Sequence, residues 1–139
     1  MYKNIMLVLT LMLLGRAMTL VFVHRAGAGD VGDPAQAWLM PLLGDAVIGI
    51  TALFLAYLIW KRRGLWVWTA IIVWNCLAIW GVLSAYIIHL TNPWPEFFML
   101  QAFGASMFFV ASAMHLVIII LPCRQSAIAH FLVRGAVAR

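Results

Sequence analysis

Arg16 is the residue best placed for chemistry, because it is the only charged side chain in the apolar run 5–23. If this run crosses a bilayer, the arginine costs several kcal/mol unless it is paired or reaches the membrane surface. Two polar residues of later apolar runs, Asp45 and Gln101, offer partners. At a rise of about 1.5 Å per helical residue, all three lie in the same outer third of the membrane. We therefore predict an Arg16–Asp45 ion pair with Gln101 within reach.

The sequence leaves two interpretations of this pair open. It is either an ion pair that fixes helix packing or the polar wall of an outward-facing pocket that binds a head group or an anion. Three further polar residues are predicted to line such a site: Asn75, Tyr86 and His115. Asn75 lies near mid-membrane and is expected to hydrogen-bond between helices. His115 lies nearer the inner end, where Thr69 and Tyr57 are its predicted partners.

The histidines raise the question of haem or a metal. A membrane bundle can hold haem between two histidines at matching depth on facing helices. His24 and His89 both lie at the outer boundary and are the candidate metal ligands, whereas His115 has no histidine at its depth. No metal-binding helical spacing and no catalytic motif is present in the sequence. The sequence therefore disfavours haem, a metal and an enzymatic function.

Four apolar runs must position these residues. Of the 139 residues, 66% are hydrophobic and 9% are charged, so one water-soluble core cannot bury the apolar side chains. The runs cover residues 5–23, 39–60, 65–90 and 97–121. Each is about as long as the roughly 20 residues that a transmembrane helix needs. With short connections between them, they predict an all-α, integral membrane four-helix transmembrane bundle over residues 1–123.

Positive charge gives the predicted orientation. One end of the predicted helices carries Lys3, Lys61, Arg62, Arg63, Arg124, Arg134 and Arg139. The other end carries Arg25 together with Asp30, Asp33 and Glu96. The positive-inside rule then predicts cytoplasmic N and C termini, in a bacterial inner membrane. Because the basic residues flank apolar runs instead of forming a soluble patch, no nucleic-acid partner is expected.

Residues 124–139 are predicted to form a basic cytoplasmic tail. On a helical wheel Ile128, Phe131 and Leu132 share one face, which suits an amphipathic helix lying on the inner leaflet. The alternative is a frayed tail. The sequence does not decide between the two.

The predicted function is that of a small, non-enzymatic polytopic membrane protein. It is either a lipid- or ligand-binding bundle with its site at Arg16, Asp45 and Gln101, or an accessory subunit of a membrane complex. An oligomeric transporter or channel for a small solute is the first alternative, and a haem- or metal-dependent redox protein is the second. The expected partners are membrane lipids, further copies of the chain or a larger membrane complex.

Overall fold

The computed structural model describes residues 2–30, 34, 36–94 and 97–132, and all regular structure in these residues is helical. We number the helices α1 (Tyr2–Gly27), α2 (Gln36–Lys61), α3 (Leu65–Thr91), α4 (Phe98–Phe103), α5 (Ser106–Cys123) and α6 (Gln125–Leu132). The predicted charges Asp33, Glu96, Arg134 and Arg139 lie outside the described residues.

Four of these helices, α1, α2, α3 and α5, are long and apolar enough to cross a membrane. The prediction of four apolar, membrane-length helices is confirmed, and they indicate an integral membrane protein. Gly64 makes the tight connection between α2 and α3 with a φ of 113°, a conformation that side-chain-bearing residues rarely adopt. Asn92 ends α3 in a non-helical conformation, as expected for a residue before proline.

The predicted fourth run, 97–121, is interrupted in the structure. Gly104, with a φ of 57° and a ψ of −156°, separates the short helix α4 from α5. Glycine adopts these angles readily, whereas other residues are strained by them. The presence of glycine at position 104 therefore allows the helix to break there. The membrane-length part therefore begins at Ser106, nine residues later than the apolar pattern predicts.

Helix α1 is longer than its predicted run, and its hydrogen-bonding pattern changes from α to 3₁₀ in the middle. It extends to Gly27, and Leu13–Met18 form a 3₁₀ segment between two α-helical parts. This segment packs directly on α2, where Gly49 allows the two backbones to touch. A β-carbon at Gly49 would overlap the backbone of Arg16 and Ala17, so no larger residue fits there without a shift.

Contacts at the helix ends show that α1 and α2 run in opposite directions, as do α2 and α3. The Lys3 ammonium donates to the Trp60 carbonyl at 2.8 Å, joining the start of α1 to the end of α2. The indole N–H of Trp38 donates to the Asn92 carbonyl at 2.8 Å, joining the start of α2 to the end of α3. We call the end that holds Lys3, Lys61 and Arg124 the basic end.

Two clusters of buried apolar side chains fill the space between the helices. The cluster nearer the basic end is close-packed and contains Met6, Leu13, Ala52, Leu55, Leu58, Ile59, Val67, Ile71, Ile118, Leu121 and Phe131. The cluster in the opposite half contains four aromatic side chains, Trp38, Trp94, Phe97 and Phe108, among its buried members. Of the polar residues predicted from the sequence, Arg16, Asp45, Asn75 and His115 belong to neither cluster.

The tail residues that the structure describes form helix α6 against the basic end. Ala127 and Phe131 are 0% and 1% exposed, and Phe131 belongs to the close-packed cluster. The face predicted to lie on lipid is therefore turned at Phe131 towards the protein, because α3 and the end of α5 cover it. Residues 133–139 of the predicted tail, and the side chain of Leu132, lie outside the described part.

Candidate functional site

Arg16 lies in the 3₁₀ segment near the midpoint of α1 and forms an ion pair with Asp45 of α2. Its Nη2 group donates to Oδ1 of Asp45. The side chain of Arg16 is 12% exposed and that of Asp45 is 28% exposed, so most of the surface of both is covered by the rest of the protein. An opposite charge at hydrogen-bonding distance lowers the cost of placing either charge within an apolar helix assembly.

The ion pair continues into a hydrogen-bonded chain that includes His115 and Asn75. Nη1 of Arg16 lies 2.7 Å from Nε2 of His115, and Nδ1 of His115 lies 2.8 Å from Oδ1 of Asn75. The Asn75 amide in turn donates to the Ile71 carbonyl at 2.7 Å. We call Asp45, Arg16, His115 and Asn75 the polar chain. It takes one residue from each of the four long helices.

The direction of donation fixes the protonation state of His115. A guanidinium has no acceptor, so Nη1 of Arg16 must donate and Nε2 of His115 must accept. The ring proton is then on Nδ1 and points to Oδ1 of Asn75. His115 is consequently a neutral imidazole, and Arg16 and Asp45 carry the two charges of the polar chain.

Each polar side-chain atom of the buried members of the polar chain takes part in a hydrogen bond. His115 and Asn75 are both 0% exposed, and a buried polar side chain without a partner would cost about 1–3 kcal/mol. Trp74 closes the site from the side, since its ring lies edge-on to His115 with centroids 5.8 Å apart. Its indole N–H is held by the Thr51 hydroxyl at 2.9 Å.

The backbone around Arg16 is held on α2 by two features. The Thr19 hydroxyl lies 2.6 Å from the Arg16 carbonyl and 3.2 Å from the Leu42 carbonyl, so it bridges the two helices. Gly49 permits the close approach of Ala17 described above. A 3₁₀ stretch inside a long helix often marks a functional or strained site. Here it carries the charged residue towards its partners.

A cavity of about 560 Å³ lies beside the ion pair, in the half of the molecule away from the basic end. Arg16 and Asp45 form its polar wall. Five flexible methionines contribute to the remaining wall, namely Met12, Met18, Met99, Met107 and Met114. Trp38, Phe97, Phe103 and Phe108 add aromatic surface. His115 and Asn75 do not line the cavity, so the polar chain runs from its wall into the interior.

The structure does not bring every predicted residue to this site. Gln101 is exposed on α4, beyond the cavity wall. Tyr86 packs its ring on Phe108 and Phe109, with centroids 5.5 and 5.2 Å apart, and does not line the cavity. The break at Gly104 explains the position of Gln101, since counting along one continuous helix carries it to the wrong depth.

The depth predicted for Arg16 and the partners predicted for His115 also differ from the structure. Because α1 continues to Gly27, Arg16 lies near the middle of its helix and not in an outer third. This deeper position brings Arg16 level with His115. Thr69 and Tyr57, the predicted partners of His115, are exposed instead.

The outer histidines do not form a recognisable metal site. His24 is exposed near the end of α1, and His89 packs against the rings of Trp38 and Phe108. Within the part of the chain that the structure describes, no three His, Cys, Asp or Glu side chains converge to hold a metal ion. In neutral His115 the available ring lone pair is on Nε2, where it accepts from Arg16, and Nδ1 carries the proton donated to Asn75, so this hydrogen-bonded arrangement offers no free lone pair to iron.

Comparisons with protein families, curated proteins and solved structures found no match to this chain. The polar chain and the cavity are therefore the features that bear on function.

Proposed function

We propose that this protein is a four-helix transmembrane bundle that binds one lipid-like molecule in the cavity beside Arg16 and Asp45. The observation that carries the proposal is an apolar cavity of about 560 Å³ with a charged pair on one wall. Small-molecule sites are typically about 300–1,000 Å³, mostly apolar, with a few polar groups that orient the ligand. This combination suits an amphiphile with one chain and a small head group.

The side chains of the cavity support an adaptable apolar site. Methionine is unbranched and polarisable, so methionine-rich surfaces adjust to different apolar shapes. The aromatic residues Trp38, Phe97 and Phe108 lie at the edge of the cavity and are buried in their own cluster. A rigid aromatic edge and flexible methionine walls would hold an acyl or isoprenoid chain without requiring a single chain geometry.

The proposal includes an orientation in the membrane. The described basic residues Lys3, Lys61–Arg63 and Arg124 share one end of the helices, and the positive-inside rule assigns that end to the cytoplasm. Both termini are then cytoplasmic, and the cavity lies in the outer half of a bacterial inner membrane. Membrane lipids are the proposed partners, alone or together with further copies of the chain or a larger membrane complex.

The packing nearer the basic end favours binding over transport. A transporter or channel whose path runs within one chain needs a passage through both halves of its helices. The half below the polar chain is instead filled by apolar side chains such as Ile59, Ile71 and Ile118, which are 0–1% exposed. A ligand that enters from the outer half would therefore be held within one chain rather than passed across it.

Two alanines of α5 provide a matched test. Ala111 lines the cavity, whereas Ala113 is exposed on the outside of the same helix. The protein is purified in mild detergent, extracted with organic solvent and analysed by mass spectrometry for co-purified apolar molecules. We expect Ala111→Phe to lose most of the bound material, because the phenyl ring fills the cavity, and Ala113→Phe to retain it. Equal amounts in all three proteins, or none in the wild type, would contradict the proposal.

A further inference from the structure

We infer that the cavity selects a neutral amphiphile whose head group donates a hydrogen bond, such as a long-chain or isoprenoid alcohol. This inference rests on the proposed function and specifies the chemistry of the ligand. Two features of the site support it: the balanced charges of the polar chain and the acceptor capacity that the polar chain leaves unused.

The wall of the cavity carries balanced charges. Among the residues that the structure describes, Arg16 and Asp45 are the charged side chains of the wall, and they neutralise each other. His115, behind them, is neutral because it accepts from Arg16 and donates to Asn75. The site therefore has no net charge to offer a ligand. A charged head group would enter this low-dielectric site without a counter-charge, which is strongly unfavourable.

The hydrogen bonds at the wall engage its neutral donors within the protein. Thr19 donates to a backbone carbonyl of its own helix or of α2, Trp38 to Asn92, and Ser106 to Phe103. Arg16 donates from Nη2 to Asp45 and from Nη1 to His115, which uses two of its five N–H groups. The guanidinium is also the less exposed member of the ion pair, so its remaining N–H groups are less accessible to a ligand than the carboxylate of Asp45.

The carboxylate of Asp45 has hydrogen-bond acceptor capacity left for a ligand. A carboxylate accepts up to about four hydrogen bonds, and Arg16 contacts Oδ1 of Asp45. Asp45 is also the more exposed member of the pair, at 28% against 12% for Arg16. A ligand approaching the wall therefore meets the carboxylate first. A hydroxyl can donate to it, whereas an anionic head group is repelled by it.

The test uses four probes that share one oleyl chain and differ in the head group: oleyl alcohol, oleyl methyl ether, oleyl sulfate and oleyl trimethylammonium. Binding to the full chain in mild detergent is measured by native mass spectrometry. We expect the alcohol to bind tightest. The ether, which is neutral but has no donor, should bind about tenfold or more weakly, the usual loss for a hydrogen bond to a charged group. Both charged probes should bind at least about tenfold more weakly than the alcohol.

Asp45→Asn is expected to reverse the order in which the alcohol and the sulfate bind. A merely structural role of Asp45 would not produce this reversal. The variant keeps the shape of the side chain but leaves Arg16 without its counter-charge, so the wall becomes positive. We expect oleyl sulfate to gain at least about tenfold and to overtake the alcohol. Cys76→Ser, an exposed position on α3, is the control and should keep the wild-type order. If Asp45→Asn does not fold, the order of the four probes on the wild type still decides the inference.

The outcomes separate the inference from the proposed function. If the wild type binds either charged probe as tightly as the alcohol or more tightly, or the ether as tightly as the alcohol, the head-group inference is wrong and the binding function stands. If none of the four probes binds, the proposed function fails and the inference fails with it.

Discussion

The ion pair between Arg16 and Asp45 can be tested by removing its members singly and together. Asp45→Leu keeps approximately the volume of the side chain and removes its charge, which leaves the Arg16 guanidinium unpaired near the middle of α1. Breaking a buried pair from one side typically costs about 3–5 kcal/mol, because the remaining charge has lost its compensation. We expect a loss of this size for Asp45→Leu.

Arg16→Met should cost at least as much, because Arg16 contacts two members of the polar chain. Its removal leaves Asp45 without a counter-charge and His115 without the donor to Nε2. In the double variant both charges are gone, and the main remaining defect is the unpaired nitrogen of His115. An unpaired buried acceptor costs about 1–3 kcal/mol, so the double variant should be more stable than either single variant.

The assay is unfolding by sodium dodecyl sulfate in mixed micelles, followed by circular dichroism. A double-mutant cycle over the two single variants and the double variant should give a coupling energy of about 2 kcal/mol or more. Cys76→Ser, which is exposed on α3, should change the free energy of unfolding by less than about 0.5 kcal/mol. If the double variant loses as much free energy of unfolding as the two single variants together, Arg16 and Asp45 do not stabilise the protein through their ion pair.

Two further predictions concern the support of the site, each measured in the same unfolding assay. His115→Phe should cost about 2–4 kcal/mol, because it removes the acceptor of Arg16 and the donor to Asn75 while keeping the ring volume. His89→Phe, where Nδ1 has no hydrogen-bond partner among the described residues, should be neutral or stabilising, and an equal loss at both histidines would contradict the polar chain. Gly49→Ala should cost about 2 kcal/mol or more, because the new methyl group overlaps the backbone of α1 and forces the helices apart. Gly44→Ala on the same helix meets no neighbour within 4 Å and should stabilise by up to about 1 kcal/mol through helix propensity, so equal effects at the two glycines would show that the close contact is absent.

Several properties of this protein follow from its sequence alone. Four apolar runs with polar or glycine-containing interruptions require four helices, because backbone polar groups in hydrocarbon must be satisfied within each segment. The partner of Arg16 also follows from the sequence. Asp45 is the one carboxylate inside a predicted span, and a charge in an apolar helix needs an opposite charge. Asn75 and His115 carried the same signal, as strongly polar residues well inside apolar runs.

Only the tertiary structure decided how these residues join. Residue counting assumes straight, uniform helices, and two local features break that assumption. The 3₁₀ segment Leu13–Met18, held close to α2 at Gly49, sets the depth and direction of Arg16. The positive φ of Gly104 separates Gln101 from the helix that carries His115. Depth and facing depend on such irregularities and on packing between distant segments. The apolar pattern therefore predicts which polar residues need partners and pairs the two opposite charges, but it does not predict that Arg16 also contacts His115 or that His115 contacts Asn75.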